Sequence, residues 1–201
     1  MELWQFEQQA LDAGHTLICG CDEAGAGPLA GPVYAAAVIL PFGLEIPGLT
    51  DSKKLTEKKR EALFPIIKEK ALAWAVASVD EKEIDATDIL SARMKAMQMA
   101  IDALHCKADF ALIDGNRDHG KTAAIVTPHI CIVKGDSLSA SVAAASVLAK
   151  VSRDHWMLEM AQQYPQYGFE QHKGYGTKAH YQALREFGPS PIHRRTFLKN
   201  L

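Results

Sequence analysis

Apolar positions along this chain follow two rhythms. Short unbroken runs at residues 16 to 22, 33 to 40, 71 to 79, 110 to 113 and 130 to 133 read as buried strands, each bounded by glycine, proline or acidic residues. Between them, apolar residues recur at helical spacing. Leu3, Phe6, Ala10 and Leu11 mark a helix within residues 1 to 13, stopped by Gly14. Thr56 stands where an N-cap is wanted for a helix over 57 to 70, in which Pro65 predicts a kink or break. Ile89, Leu90, Met94, Met97, Ile101 and Leu104 form the stripe of a long helix that begins at Asp85 or Thr87 and runs to about 104, its methionines acting as core filler. The alanine-rich stretch 138 to 163 predicts another helix, with side chains small enough for close packing on a sheet, and a shorter one follows near 179 to 187. Strands alternating with helices, without internal repeat or flexible linker, predict an α/β fold in a single domain over 1-201, of which about 164-201 is a C-terminal extension.

The punctuation between the first two strands carries chemistry. Cys21-Asp22-Glu23-Ala24-Gly25-Ala26-Gly27-Pro28-Leu29-Ala30-Gly31-Pro32-Val33 places adjacent carboxylates directly after an apolar run. Side chains alternate faces along a strand, so both carboxylates serve one site only if the backbone leaves strand geometry here, which Gly25 and Gly27 permit. A bare Asp-Glu-x-Gly also fits an ordinary hairpin with solvated turn residues. Asp114 and Asp136, however, follow two further apolar strands, at the carboxyl ends where open α/β sheets place their ligands. Four carboxylates from three strand ends suit Mg²⁺ or Mn²⁺, which take hard oxygen ligands. Crowded in this way they repel one another, so a shared site implies bound metal, a raised pKa, or both.

Composition narrows the classes. With 48% hydrophobic and 23% charged residues over 201 positions, the chain can bury one sizeable core. No apolar run approaches the ~20 residues of a membrane span, and the N-terminus has no signal-peptide pattern, so a cytoplasmic monomer without membrane association is expected. Cys19, Cys21, Cys106 and Cys131 lack the paired spacing of a zinc site and read as buried thiols. A net charge of −2 names no partner, but residues 171 to 201 hold six basic residues against one acidic. A basic end opposite a carboxylate cluster is what a phosphodiester ligand needs; a solvated helix face is the plainer alternative.

The segment from Asp22 to Val33 resembles the first motif of ribonuclease HII, the bacterial type 2 ribonuclease H, usually Asp-Glu-x-Gly-Arg-Gly-Pro-Leu-Ala-Gly-Pro-Val. Also similar, and in the family's order, are Asp51-Ser52-Lys53-Lys54-Leu55, Ile113-Asp114-Gly115-Asn116, Lys134-Gly135-Asp136-Ser137, residues 143 to 154, His172-Lys173-Gly174-Tyr175-Gly176-Thr177 and His193-Arg194-Arg195-Thr196-Phe197. The resemblance implies a ribonuclease H-like mixed five-stranded sheet flanked by helices, with a C-terminal helical extension. It implies endonucleolytic cleavage of RNA in RNA–DNA hybrids, and 5′ of single ribonucleotides in duplex DNA, a step of DNA repair and replication. Asp22, Glu23, Asp114 and Asp136 would bind two divalent ions, Mg²⁺ or Mn²⁺, and leave 3′-hydroxyl and 5′-phosphate ends. Gly25, Ala26 and Gly27 would touch the 2′-hydroxyl through the main chain, Tyr175 would stack on the next deoxyribose, and Lys53 with the basic tail would hold phosphates. Asp154 reads as a structural ion-pair residue. Position 26 departs from the family: alanine stands where arginine is usual. Two other readings remain, a junction resolvase of similar fold and a noncatalytic or weakened hybrid-binding module.

Overall fold

A computed structural model describes residues 2 to 198. Its centre is a strand, β1 (Ile18–Ala24), paired antiparallel with β2 (Val33–Ile39) and parallel with β4 (Phe110–Asp114). β3 (Ala73–Val79) lies outside β2 and β5 (His129–Ile132) outside β4, giving the mixed five-stranded order β3-β2-β1-β4-β5. The expected sheet is therefore present. The start of β1 is tied to β4 by Asp109, whose carboxylate accepts from Thr16 N, Thr16 Oγ1 and Leu17 N.

Helices cover both faces. The helix α1 (Gln5–Asp12) buries Ala10, and α2 (Glu57–Lys70) starts at Thr56, whose side chain accepts from Lys59 N. α2 continues as one helix through Pro65, contrary to the expected kink or break; Leu63 and Ile67 on either side of the proline are buried against the core, and that packing outweighs the missing amide donor. The expected long helix over 85 to 104 is instead two, α3 (Glu81–Ala86) and α4 (Ile89–Asp102). Asp80 caps the first and Asp88 the second, accepting from Ser91 N at 3.0 Å, so neither Asp85 nor Thr87 is the cap. Asp85 is spent elsewhere, accepting from the amides of Arg195 and Thr196 and so docking the C-terminal segment.

On one face, Met94, Met97 and Ile101 of α4 pack on Cys19, Cys21 and Ile113. On the other lies α5 (Ala140–Gln163), capped by Ser139, with alanines 143, 144, 145 and 149 fully buried. The approach is so close that a Cβ placed on Gly20 would lie 2.1 Å from the Ser141 carbonyl carbon; a residue larger than glycine there forces α5 off the sheet. All four cysteines are free, and burial pushes the Cys19 thiol up to about 12. No helix of the described residues is long and apolar enough to cross a membrane.

The C-terminal extension contains α6 (Phe169–His172) and α7 (Lys178–Phe187) and packs Tyr167, Phe169, Leu184 and Ile192 against Leu29, Ala30 and Met157. The 25 to 32 connection thus runs between the sheet and this extension: Leu29 N donates to Gly174 O, Gly31 N to Ile192 O, and Arg194 N to Leu29 O.

Candidate active site

Asp22 and Glu23 both lie within β1, opposite Ala36 and Ala35 of β2. The expected departure from strand geometry does not occur. Glu23 continues the face of Cys19 and Cys21 toward α4, where its Oε1 meets Arg93 Nη2 at 2.6 Å, whereas Asp22 continues the face of Gly20 toward α5. One site can include both because it sits off the end of the strand rather than on a face of the sheet. Gly25, at φ +95°, turns the chain immediately afterwards.

Asp114 ends β4, beside β1, and Asp136 lies in a 3₁₀ turn over Gly135–Ser137 that follows β5 through a left-handed Lys134. The Asp136 amide donates to Asp114 Oδ1 at 3.4 Å. Lys53 reaches in from the turn Ser52–Lys54 and places Nζ 3.6 Å from Asp136 Oδ2. Burial alone would lower the Lys53 pKa; Asp22, Asp136, Asp114 and Asp51 together outweigh it and hold the pKa above its ordinary value. The lysine is thus the electrostatic meeting point of the four sequence-predicted carboxylates, since it also lowers the pKa of Glu23.

Burial raises the pKa of Asp22 far above the usual carboxylate range, reinforced by Glu23 and Asp114. Burial likewise raises Glu23, against the opposing pull of Arg93. Asp136 is raised by burial and by a hydrogen bond shared with Asp51. Glu23 Oε2 is buried without a hydrogen-bond partner. Among the described residues, no three His, Cys, Asp or Glu side chains stand close enough to share one ion; Glu23 is drawn to Arg93 and Asp136 to Lys53. The donor set still fits a hard divalent ion, because it is all oxygen, desolvated at Asp22, Glu23 and Asp136, and short of positive charge.

Two of these neighbours escape sequence reasoning. Arg93 is one charge in the middle of an amphipathic helix, with no local signal of its partner 70 positions away. Asp51 gives a clearer hint, as the cap that accepts from Lys53 N at 2.8 Å and fixes the turn carrying the lysine.

The Gly25-Ala26-Gly27 stretch and Tyr175 are brought together. Gly27 is exposed, and a Cβ placed on it would lie 3.8 Å from Tyr175 Cε1; Tyr175 itself is 45% exposed. The basic tail is less available than its composition suggests. Arg194 is fully buried, donating to the carbonyls of Gly25, Ala26 and Gly31, so it is withdrawn from any phosphate. Lys173 Nζ donates to Glu170 O, while Lys178, Arg185 and Arg195 are exposed. Lys199 lies outside the described residues. Arg153, also fully buried, donates to Pro32, Lys173 and Ala30 carbonyls. Asp154 pairs with Lys150 at 2.6 Å and Arg60 at 3.9 Å, a structural ion pair away from the four carboxylates.

Comparison with known proteins bears on the family and the fold. Residues 19–200 match the family model described as Ribonuclease HII. The chain is 53% identical over 199 residues to a ribonuclease HII of Ruminiclostridium cellulolyticum, covering 99% of this chain and 76% of that one. It is 58% identical over 181 residues to the ribonuclease HII of Dechloromonas aromatica, covering 90% of each. The crystal structure of ribonuclease H2 from Pyrococcus horikoshii superposes with a TM-score of 0.73 at 26% identity, covering 90% of this chain and 93% of the other. The chain belongs to the ribonuclease HII family, metal-dependent endoribonucleases that cut the RNA of RNA–DNA hybrids.

Proposed function

We propose that Asp22, Glu23, Asp114 and Asp136 are the catalytic carboxylates of this ribonuclease HII and hold two divalent ions, Mg²⁺ or Mn²⁺. The observation that carries the reading is the convergence of the four around Lys53, from the ends of β1 and β4 and the turn after β5, with one Glu23 oxygen buried and unpartnered. A buried acceptor left without a donor costs about 1–3 kcal/mol, which a bound cation removes. When bound, divalent ions supply activation of a water for in-line attack and stabilisation of the leaving 3′ oxygen.

The chain's own residues supply position. Asp22 and Glu23 flank the end of β1 from its two faces, and Asp51 and Arg93 hold Lys53 and Glu23 in place. Lys53, whose head group is largely exposed, holds a phosphate next to the cut. The main chain of Gly25, Ala26 and Gly27, braced by Arg194 and exposed at Gly27, reads the 2′-hydroxyl, the group that separates RNA from DNA at one sugar. Tyr175 stacks on the deoxyribose that follows, and Lys178, Arg185 and Arg195 meet phosphates further away. On this reading the enzyme acts as a cytoplasmic monomer and cuts 5′ of a single ribonucleotide in duplex DNA. A noncatalytic binder would not need four carboxylates brought together, three of them desolvated, and a junction resolvase would not need Tyr175 beside Gly27. Cleavage of a duplex with one ribonucleotide, assayed with Mg²⁺ and with Mn²⁺, tests the reading; a single cut 5′ of the ribonucleotide is expected, and no cleavage with either ion contradicts it.

A further inference from the structure

Three histidines, His172, His180 and His193, gather under the turn that presents Tyr175, and backbone amides dictate where their protons lie. The Ser190 amide points at His193 Nδ1 at 2.9 Å. An amide N–H only donates, so Nδ1 holds a lone pair and a neutral His193 carries its proton on Nε2. That nitrogen is 2.9 Å from His180 Nε2, which must then accept. The one proton of a neutral His180 therefore sits on Nδ1, 2.9 Å from the carbonyl of Tyr175, to which it donates. Ser190 Oγ, 2.7 Å from His193 Nδ1, lies at the same lone pair.

Both rings are almost wholly buried, and burial lowers both pKa values, that of His193 to about 4, so each is neutral near pH 7. His172 stacks on His180 with centroids 4.4 Å apart and is itself fixed: Gly174 N donates to its Nδ1 at 3.2 Å, and its Nε2 donates to Tyr167 O at 2.8 Å. The turn above needs such support. Lys173 at φ 49° and Gly174 at φ +86° are both left-handed, and the Tyr175 carbonyl otherwise accepts only from Thr177 N among the described residues. With Tyr175 only about half covered, its direction depends on the backbone at 175.

We infer that His193 and His180 form a buried hydrogen-bond relay, from the Ser190 amide to the Tyr175 carbonyl, that positions Tyr175 for reading the sugar beside the cut; this rests on the proposed role of Tyr175. The histidines are positioning residues: they touch no substrate and act through the tyrosine.

Paired substitutions separate this from simple core filling. His180→Asn keeps a donor at the Nδ1 position, toward Tyr175, and loses the contact to His193. His180→Gln sets its amide at the Nε2 position, keeps the contact to His193 and leaves the Tyr175 carbonyl without its second donor. The readout is the ratio of kcat/KM on a single-ribonucleotide duplex to that on a long RNA–DNA hybrid, with thermal unfolding measured alongside. His180→Gln is expected to lower the ratio roughly tenfold, the scale of one lost hydrogen bond, and His180→Asn to stay within about twofold of the parent. His193→Leu removes the donor that fixes the His180 tautomer but leaves Nδ1–H able to donate to Tyr175, so it is expected to lower the ratio by less than His180→Gln does. Tyr175→Ala provides the reference. If it leaves the ratio unchanged, the reading of Tyr175 fails and the relay's role with it. If Tyr175→Ala lowers the ratio but His180→Gln does not, or if His180→Asn and His180→Gln lower it equally, the relay alone is overturned.

Discussion

The buried guanidinium of Arg194 donates from Nη1 to the carbonyl of Ala26 at 2.9 Å, and from its other nitrogens to those of Gly25 and Gly31. A residue 168 positions away thus fixes the main chain on which ribonucleotide recognition is proposed to depend. Arg194→Lys keeps the charge but not the planar fork, and leaves buried carbonyls without donors at about 1–3 kcal/mol each. The expected result is a lower Tm together with a weaker preference for a ribonucleotide at the cut. A lowered Tm with unchanged preference would show that the brace is only structural.

Ala26 is where the chain departs from the usual family motif. Because Arg194 holds the loop's carbonyls, loss of the side chain at 26 does not free the backbone, and this protein is expected to keep its ribonucleotide preference. Ala26→Arg adds a charged contact to phosphate, on the order of 1.5–3 kcal/mol. It should raise kcat/KM roughly tenfold to a hundredfold and steepen the dependence of binding on salt. Unchanged efficiency and salt slope in a titration series would show that the added arginine finds no phosphate.

Asp22 has a folded-state pKa well above 3.8, its ordinary value, chiefly through burial. The folded state therefore holds its proton more tightly than the unfolded state, and stability falls as pH rises from the ordinary value through the raised one. At neutral pH the carboxylate destabilises the metal-free fold. In EDTA, Asp22→Asn is expected to unfold at a higher temperature than the parent, with the difference shrinking toward pH 4. Added Mn²⁺ should raise the Tm of the parent more than that of the variant. A lower Tm for the variant in EDTA would contradict the electrostatic account of this site.

His193 shifts the other way, lowered by burial to about 4 from its ordinary 6.5, with neighbouring His180 adding to the shift. The unfolded chain then binds more protons between those values, so the stability this group contributes is present above pH 6.5 and is lost as pH falls toward 4. Tm should drop over that window, and less steeply in His193→Gln. Equal slopes for parent and variant would place the acid sensitivity elsewhere.

How much of this could be read from sequence follows from how local each determinant is. Strands were legible because their apolar runs are continuous, and Thr56 announced α2 because capping acts over three residues. The α3–α4 boundary was not, since Asp80, Asp85 and Asp88 are equivalent as candidate caps until Asp85 is drawn to the amides of Arg195 and Thr196, more than a hundred positions on. The carboxylates were legible as residues near strand ends, but their geometry was not: Asp22 and Glu23 remain in strand, and one site can include both only if it lies beyond the strand end. Arg194 was misread as a surface charge because composition cannot show that three main-chain carbonyls enclose it.

The central claim is that the four carboxylates around Lys53 hold the ions that cut RNA. Its most direct test is cleavage of a single-ribonucleotide duplex by the parent and by Asp114→Asn, each in saturating Mg²⁺ and Mn²⁺, with duplex binding measured in parallel. A neutral amide is a poor ligand for a hard divalent ion but leaves the phosphate contacts of Lys53 and the exposed basic residues in place. The account predicts that cleavage by Asp114→Asn falls by at least about a thousandfold, the scale set by loss of several kcal/mol of transition-state stabilisation, while binding stays within a few-fold of the parent. Cleavage near the parental rate would contradict it.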